Sequence, residues 1–125
     1  MNEPIEQEIQ RKGLNAPRLT PNDIEGNIAS EHYFTAAEGT LGAAVWGDYA
    51  PTIAAGSFEQ PRQSLDCLTF CVLILKNGFT VTGESACASP ENFDVQIGRK
   101  IARENALQKI WPLMGYELKS RLKSA

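Results

Sequence analysis

Cys67-Leu68-Thr69-Phe70-Cys71-Val72-Leu73-Ile74-Leu75-Lys76-Asn77-Gly78-Phe79-Thr80-Val81-Thr82-Gly83-Glu84-Ser85 is the stretch on which the fold turns. Its first nine residues are apolar at nearly every position, the pattern of a strand covered on both faces. Asn77-Gly78 then supplies the residues that a type I′ turn prefers, because both of its central positions need positive φ. Phe79 to Ser85 alternates apolar and polar side chains, as a half-buried strand does. A two-residue loop would set Ile74 opposite Val81 and Leu73 opposite Thr82.

Downstream, Ser89-Pro90 places a capping residue before a proline, a helix-start signal. From Phe93 to Trp111 the apolar residues recur at helical spacing, and Pro112 is expected to stop the helix. Ile97, Ile101, Ala102, Ala106 and Ile110 mark the expected buried side. Gly98 and Ala102, one turn apart, are small enough to bring the helix backbone close to a sheet. Gly115 opens a short final segment in which Tyr116, Leu118 and Leu122 can pack back.

Upstream, Thr20-Pro21-Asn22-Asp23 combines an N-cap, proline at the first helical position and an acid three residues after the cap. Ile24 and Ile28 would then share one helix face, and the helix would end near Ala29 or Ser30. His32 to Thr35 is aromatic and β-branched, which suits a short strand. Residues 37–65 hold no period of 2 or 3.6 and many glycines, prolines and alanines, so a long loop is expected there. Its Trp46, Tyr49 and Phe58 would dock it to the core or serve a partner. Residues 1–19 are polar and punctuated by Pro4, Gly13 and Pro17, and are expected to be a flexible N-terminal arm. Residues 20–125 then form a single α+β domain: a small antiparallel sheet of about three strands with a central Asn-Gly hairpin, packed against a long C-terminal helix, with an N-terminal helix.

Length and composition agree with one modest core. The chain has 125 residues, 42% of them hydrophobic, and a formal net charge of −3. No apolar run approaches the roughly 20 residues of a membrane span, and the acidic start Met1-Asn2-Glu3-Pro4 has no signal-peptide character. Three cysteines, an odd number, are expected as reduced thiols in a cytoplasm. The charge is uneven. Residues 95–125 carry seven Lys/Arg against Glu104 and Glu117, a balance of +5, leaving −8 for the remainder. Such a segment either faces an anion or is a solvated helix face.

Few residues suggest chemistry. His32 is the sole histidine and has no Cys/His set near it, so a structural or surface role is expected. Cys67 and Cys71, four apart on a strand, stand roughly 13 Å from each other, too far to share one metal or a disulfide. Cys87 would meet either only through tertiary proximity. No catalytic set, metal site or cofactor motif is expected. Arg99, Lys100 and Arg103, with Lys109 further along, are candidate contacts for an anion or for nucleic-acid phosphates, against the alternative of a solvated face paired to Glu104. Asn105 lies towards the apolar side of the helix, where an amide must find partners, either structural or on a ligand. Glu84 and Ser85, in the connector to the last helix, are further candidate polar contacts. That connector runs into a helix N-terminus but lacks a phosphate-binding glycine loop.

Leu68 to Cys87, then Asn92-Phe93-Asp94, Ile97-Gly98-Arg99-Lys100-Ile101-Ala102-Arg103-Glu104-Asn105-Ala106 and Ile110-Trp111-Pro112-Leu113, resemble a family of small tailed-phage and prophage proteins, the gene 49/gene 66-type phage proteins. Ala16 to Ile24 looks like that family's entry. The resemblance covers roughly residues 9–122. It carries no biochemical activity with it. It implies a phage or prophage accessory product in the bacterial cytoplasm. A second, topological likeness is to double-stranded RNA-binding domains, which share the order helix, three strands, helix and open the last helix with Lys/Arg.

The sequence is therefore expected to encode a non-enzymatic binding protein acting on a host protein or a small ligand. The alternative is a nucleic-acid binder using the basic helix face. No membrane partner is expected, and open sheet edges make a homo-oligomer an open option.

Overall fold

The computed structural model describes residues 4–47 and 61–125. Along them run α1 (Ile5–Arg11), α2 (Pro21–Gly26), β1 (Ile28–Thr35), α3 (Ala36–Trp46), α4 (Pro61–Asp66), β2 (Leu68–Leu75), β3 (Thr80–Ala86), a 3-10 turn over Pro90–Asn92 and α5 (Val95–Ser124). The strands form one antiparallel sheet in the order β1-β2-β3. This is the expected α+β architecture. No helix among the described residues is long and apolar enough to cross a membrane.

The sheet has one covered face. Thr69, Cys71, Leu73 and Leu75 of β2 point to it and are buried, while the alternate residues of β2 are half-buried. Val81 and Gly83 join them from β3. Gly98, Ala102, Ala106 and Ile110 of α5, each four residues after the last, close over this face. Spacing of four keeps them in one row along the helix. Ile24 of α2 completes the core.

Ala102, Ala106 and Ile110 are buried as expected, with Gly98 and Ala102 against the sheet, but two residues of the expected face are not. Ile97 and Ile101 are exposed, at 58% and 43%, while Gly98 and Ala102 are buried. Size decides it. A Cβ on Gly83 would overlap the Ala102 carbonyl oxygen and the Ala106 amide nitrogen. Helix and strand backbones therefore touch, and no isoleucine fits between them.

Pro112 does not end α5, which continues to Ser124. Gln108, whose carbonyl loses its helical partner, and Pro112 are both exposed, so water can satisfy that carbonyl. Ile110 and Met114 pack on the core from either side of the proline and hold the helix through it. The helix starts at Asp94, whose side chain accepts from the Ile97 amide at 2.9 Å. Ser89 makes no side-chain cap.

The hairpin register also differs by one residue from the expected one. Leu73 pairs with Val81 and Val72 with Thr82. The Gly78 amide donates to the Leu75 carbonyl, the Leu75 amide donates to Phe79, and only Gly78 has positive φ, at 90°. That is a three-residue loop, a type I turn closed by a left-handed glycine. Asn77 keeps a negative φ and accepts the Phe79 amide through its side chain at 2.9 Å.

Nearer the N-terminus, the capping box at Thr20 and Asp23 is present, with both reciprocal hydrogen bonds made. The helix it starts stops at Gly26, and Ile28 begins β1 instead of extending that helix. Part of the expected 37–65 loop is helical. Thr35 caps α3 in a second capping box with Glu38, and α4 precedes β2. Trp46 is exposed, whereas Tyr49 and Phe58 lie outside the described residues. Within the expected arm, Ile5–Arg11 is helical with no buried residue, and Arg18 pairs with Glu6.

Candidate functional site

The strand ends that lead into α3 and out of α4 leave a cleft of about 500 Å³ beside the first turns of α5. Phe34, Phe93 and Val95 give it apolar walls, with Glu38 and Asp66 at its acidic side and Arg99 as its cation. Phe34 stacks on Phe70 with ring centroids 5.4 Å apart, which fixes that wall. Glu38 is tied to the Thr35 amide by the capping box and Asp66 to Arg62.

Two polar groups in the cleft stand out. Thr69 is 3% exposed, and its hydroxyl has no hydrogen-bond partner among the described residues. A buried hydroxyl left unpaired costs about 1–3 kcal/mol, so such groups are rare in folded proteins. Arg99 is half-buried, pairs with no carboxylate among the described residues, and lies over the Tyr33 ring at 5.7 Å from its centroid. The ring face holds the guanidinium while leaving its N–H groups open.

Arg103, one turn along, is fully engaged. It donates to both carboxylate oxygens of Glu25, at 2.9 and 2.6 Å, and to both of Glu31, at 2.8 and 3.3 Å. These hydrogen bonds hold both carboxyls below the usual glutamate value and push the guanidinium up. Tyr33 donates to Glu31 at 2.7 Å; burial first, and then this bond, raise its hydroxyl above the ordinary tyrosine value. The cluster ties α5 to α2 and to the edge strand β1.

The residues read as a basic face are thus split: Arg99 and Arg103 lie on the β1 side of α5, whereas Lys109 lies on the β3 side. Arg99 stacks on Tyr33 and Arg103 is clamped by two glutamates. Lys100 is exposed, and the Lys109 ammonium reaches the Thr82 hydroxyl at 3.5 Å. Neither Arg99 nor Lys100 pairs with Glu104. Asn105 is exposed, contrary to its place on the expected apolar side, and its amide donates to the Glu84 carbonyl at 2.8 Å, tying helix to hairpin. Glu84 is exposed and Ser85 half-buried on β3. His32 is exposed on β1 and shares a 3.0 Å hydrogen bond with Ser30.

Cys67 and Cys71 are buried and Cys87 is half-buried, all three as free thiols. No group of three or more metal-ligating side chains occurs among the described residues. Thr69 and Phe93 were not singled out from the sequence. A threonine among the apolar residues of a central strand was the available signal.

No curated protein and no solved structure matches the chain. The exposed Asn-Gly corner, the Gly98-to-Ala106 helix row and the Trp111-Pro112 continuation all lie within residues 19–122, which match the model of one family, and the chain belongs to that family: the phage protein (N4 Gp49/phage Sf6 gene 66) family.

Proposed function

We propose that this phage-family protein is a non-enzymatic binding protein working in the host cytoplasm, and that its cleft beside the start of α5 takes a small ligand with an apolar body and an anionic group. The observation that carries this reading is Arg99. It is a cation at the wall of an apolar cleft, held by an aromatic ring and paired with no carboxylate among the described residues. Thr69 also lines the cleft, with its hydroxyl buried against Gly98 and without a partner among the described residues. Apolar walls with a few convergent polar groups are the usual make-up of a small-molecule site.

A screen of aromatic carboxylates and nucleotides, followed by amide chemical shifts, tests it. The expected result is a ligand that moves Phe93, Val95 and Thr69 and binds at least tenfold more weakly to Arg99→Ala. Absence of any such ligand, or equal binding by the variant, would overturn the reading.

Nucleic-acid binding along α5 has less support. Arg103 is committed to Glu25 and Glu31, which leaves Arg99, Lys100 and Lys109 as dispersed cations. Salt-sensitive retention of duplex RNA or DNA, lost in Lys100→Ala/Lys109→Ala, would reverse that judgement.

A further inference from the structure

We infer that Cys67 and Cys87 are the partners of an intramolecular disulfide that forms when the protein meets a hydroperoxide. The chain separates them by the whole hairpin, but the ladder brings them together. Leu68 pairs with Ala86, so Cys67 and Cys87 occupy the next opposed position, where the Cys87 amide donates to the Cys67 carbonyl at 2.9 Å. Directly opposed residues of a hydrogen-bonded antiparallel pair have Cα atoms about 5.5 Å apart and side chains on the same face. Disulfides span Cα separations of roughly 4.4–6.8 Å, which this pairing meets, and Cβ separations of roughly 3.5–4.5 Å, so the two strand ends need only draw together by about 1 Å. Both residues also line one small cavity of about 310 Å³ with Ala88 and Pro90, which leaves room for the sulfurs to turn.

The two thiols differ in a way that orders the reaction. Cys87 is half-buried and its thiol donates to the Ser89 carbonyl at 3.1 Å. Cys67 is buried, and burial, with the neighbouring Cys87 second, pushes its thiol up. The Cys87 thiolate is therefore the one that meets the oxidant. It attacks the hydroperoxide, the O–O bond breaks, an alkoxide leaves and takes a proton, and Cys87 becomes a sulfenic acid. Rotation about χ1 releases Cys87 from Ser89. The Cys67 sulfur then attacks the Cys87 sulfur, the S–O bond breaks, and hydroxide leaves with the Cys67 proton as water. Two thiols have lost two hydrogens, and one hydroperoxide has become an alcohol and a water. Cys71, four residues along β2 and fully buried under α5, takes no part.

The bridge would join the start of β2 to the connector after β3. It would also turn the Cys67 side chain, which lines the larger cleft as well. The inference stands on the strand register alone and does not need a ligand in that cleft.

The test treats the purified full chain with hydrogen peroxide, alkylates the remaining thiols under denaturing conditions, and maps the peptides by mass spectrometry. The expected result is a loss of about 2 Da, for two hydrogens. It is accompanied by a linked Cys67–Cys87 peptide pair and one alkylated thiol at Cys71. Cys87→Ser removes the mass loss, while Cys71→Ala keeps it. Three alkylatable thiols after oxidation would overturn the inference. So would a bridge through Cys71, a bridge found only between two chains, or Cys87 accumulating as sulfinic acid without a bridge.

Discussion

Gly83 of β3 and Ala102 of α5 meet backbone to backbone: a Cβ on Gly83 would overlap the Ala102 carbonyl oxygen. This contact sets how close the long helix lies to the sheet. It also selects the small residues Ala102 and Ala106 for the buried row, as Thr69 does Gly98. The rest of the core is packed around that distance.

Gly83→Ala should therefore be among the most damaging single substitutions in the chain. The atoms in the way are backbone and cannot rotate aside, so helix and sheet must separate. A loss of about 3 kcal/mol or more is expected. Gly26→Ala, where a Cβ meets open space, is the matched control and should change stability little. Urea unfolding of the two variants gives the comparison.

Arg103→Met should weaken the protein at neutral pH and flatten its response to acid. Glu25 and Glu31 have folded-state pKa values below the ordinary 4.5, first because Arg103 donates hydrogen bonds to them. A depressed carboxyl contributes stability that is present above its unfolded value and lost as pH falls through the folded one. The native protein should therefore lose stability as pH drops below about 4.5. Both glutamates are more than a third exposed, so solvent screening limits the effect. A difference of about 1–2 kcal/mol between variant and native at pH 7, shrinking at pH 3, is expected from urea midpoints.

Thr69→Val removes the unpaired hydroxyl while keeping the branched shape. Stability should stay level or rise by up to about 1 kcal/mol, because no hydrogen bond is lost. A ligand that uses this hydroxyl should bind more weakly to the same variant. A drop in stability of the ligand-free protein would show that the hydroxyl has a partner in solution.

Asn105→Leu should cost about 1 kcal/mol by removing the hydrogen bond to the Glu84 carbonyl. The bond is solvent-exposed, and water can replace it, so the loss should be no larger. Thermal unfolding beside Lys100→Leu, an exposed position on the same helix, isolates the hydrogen bond from the change in side-chain character.

Much of the architecture was readable along the chain, because local chemistry determines it. The Thr20–Asp23 box starts a helix from its own side chains, the nearly unbroken apolar run from Leu68 to Leu75 before a turn signal reads as a covered strand, and Asn-Gly turns the chain. Thr35-Ala36-Ala37-Glu38 carried an equally local signal, a threonine with glutamate three residues on, which is the capping box of α3.

What sequence could not decide were choices between energetically similar local states. Gly98 and Ala102 could be read as a close approach to the sheet, but Ile97 and Ile101 fall outside the buried row because Gly83 at Ala102 and Thr69 at Gly98 leave room only for small residues. Pro112 would end an isolated helix, but Ile110 and Met114 are held by the core on either side of it. Arg99 and Arg103 look alike in sequence. Only the folded chain sets one over the ring of Tyr33 and the other between Glu25 and Glu31, residues more than 70 positions away in sequence. Caps, turns and strand pattern act over a few residues and are written locally. Which face a helix buries, and which charge stays open, depend on atoms that come near only when the sheet has closed.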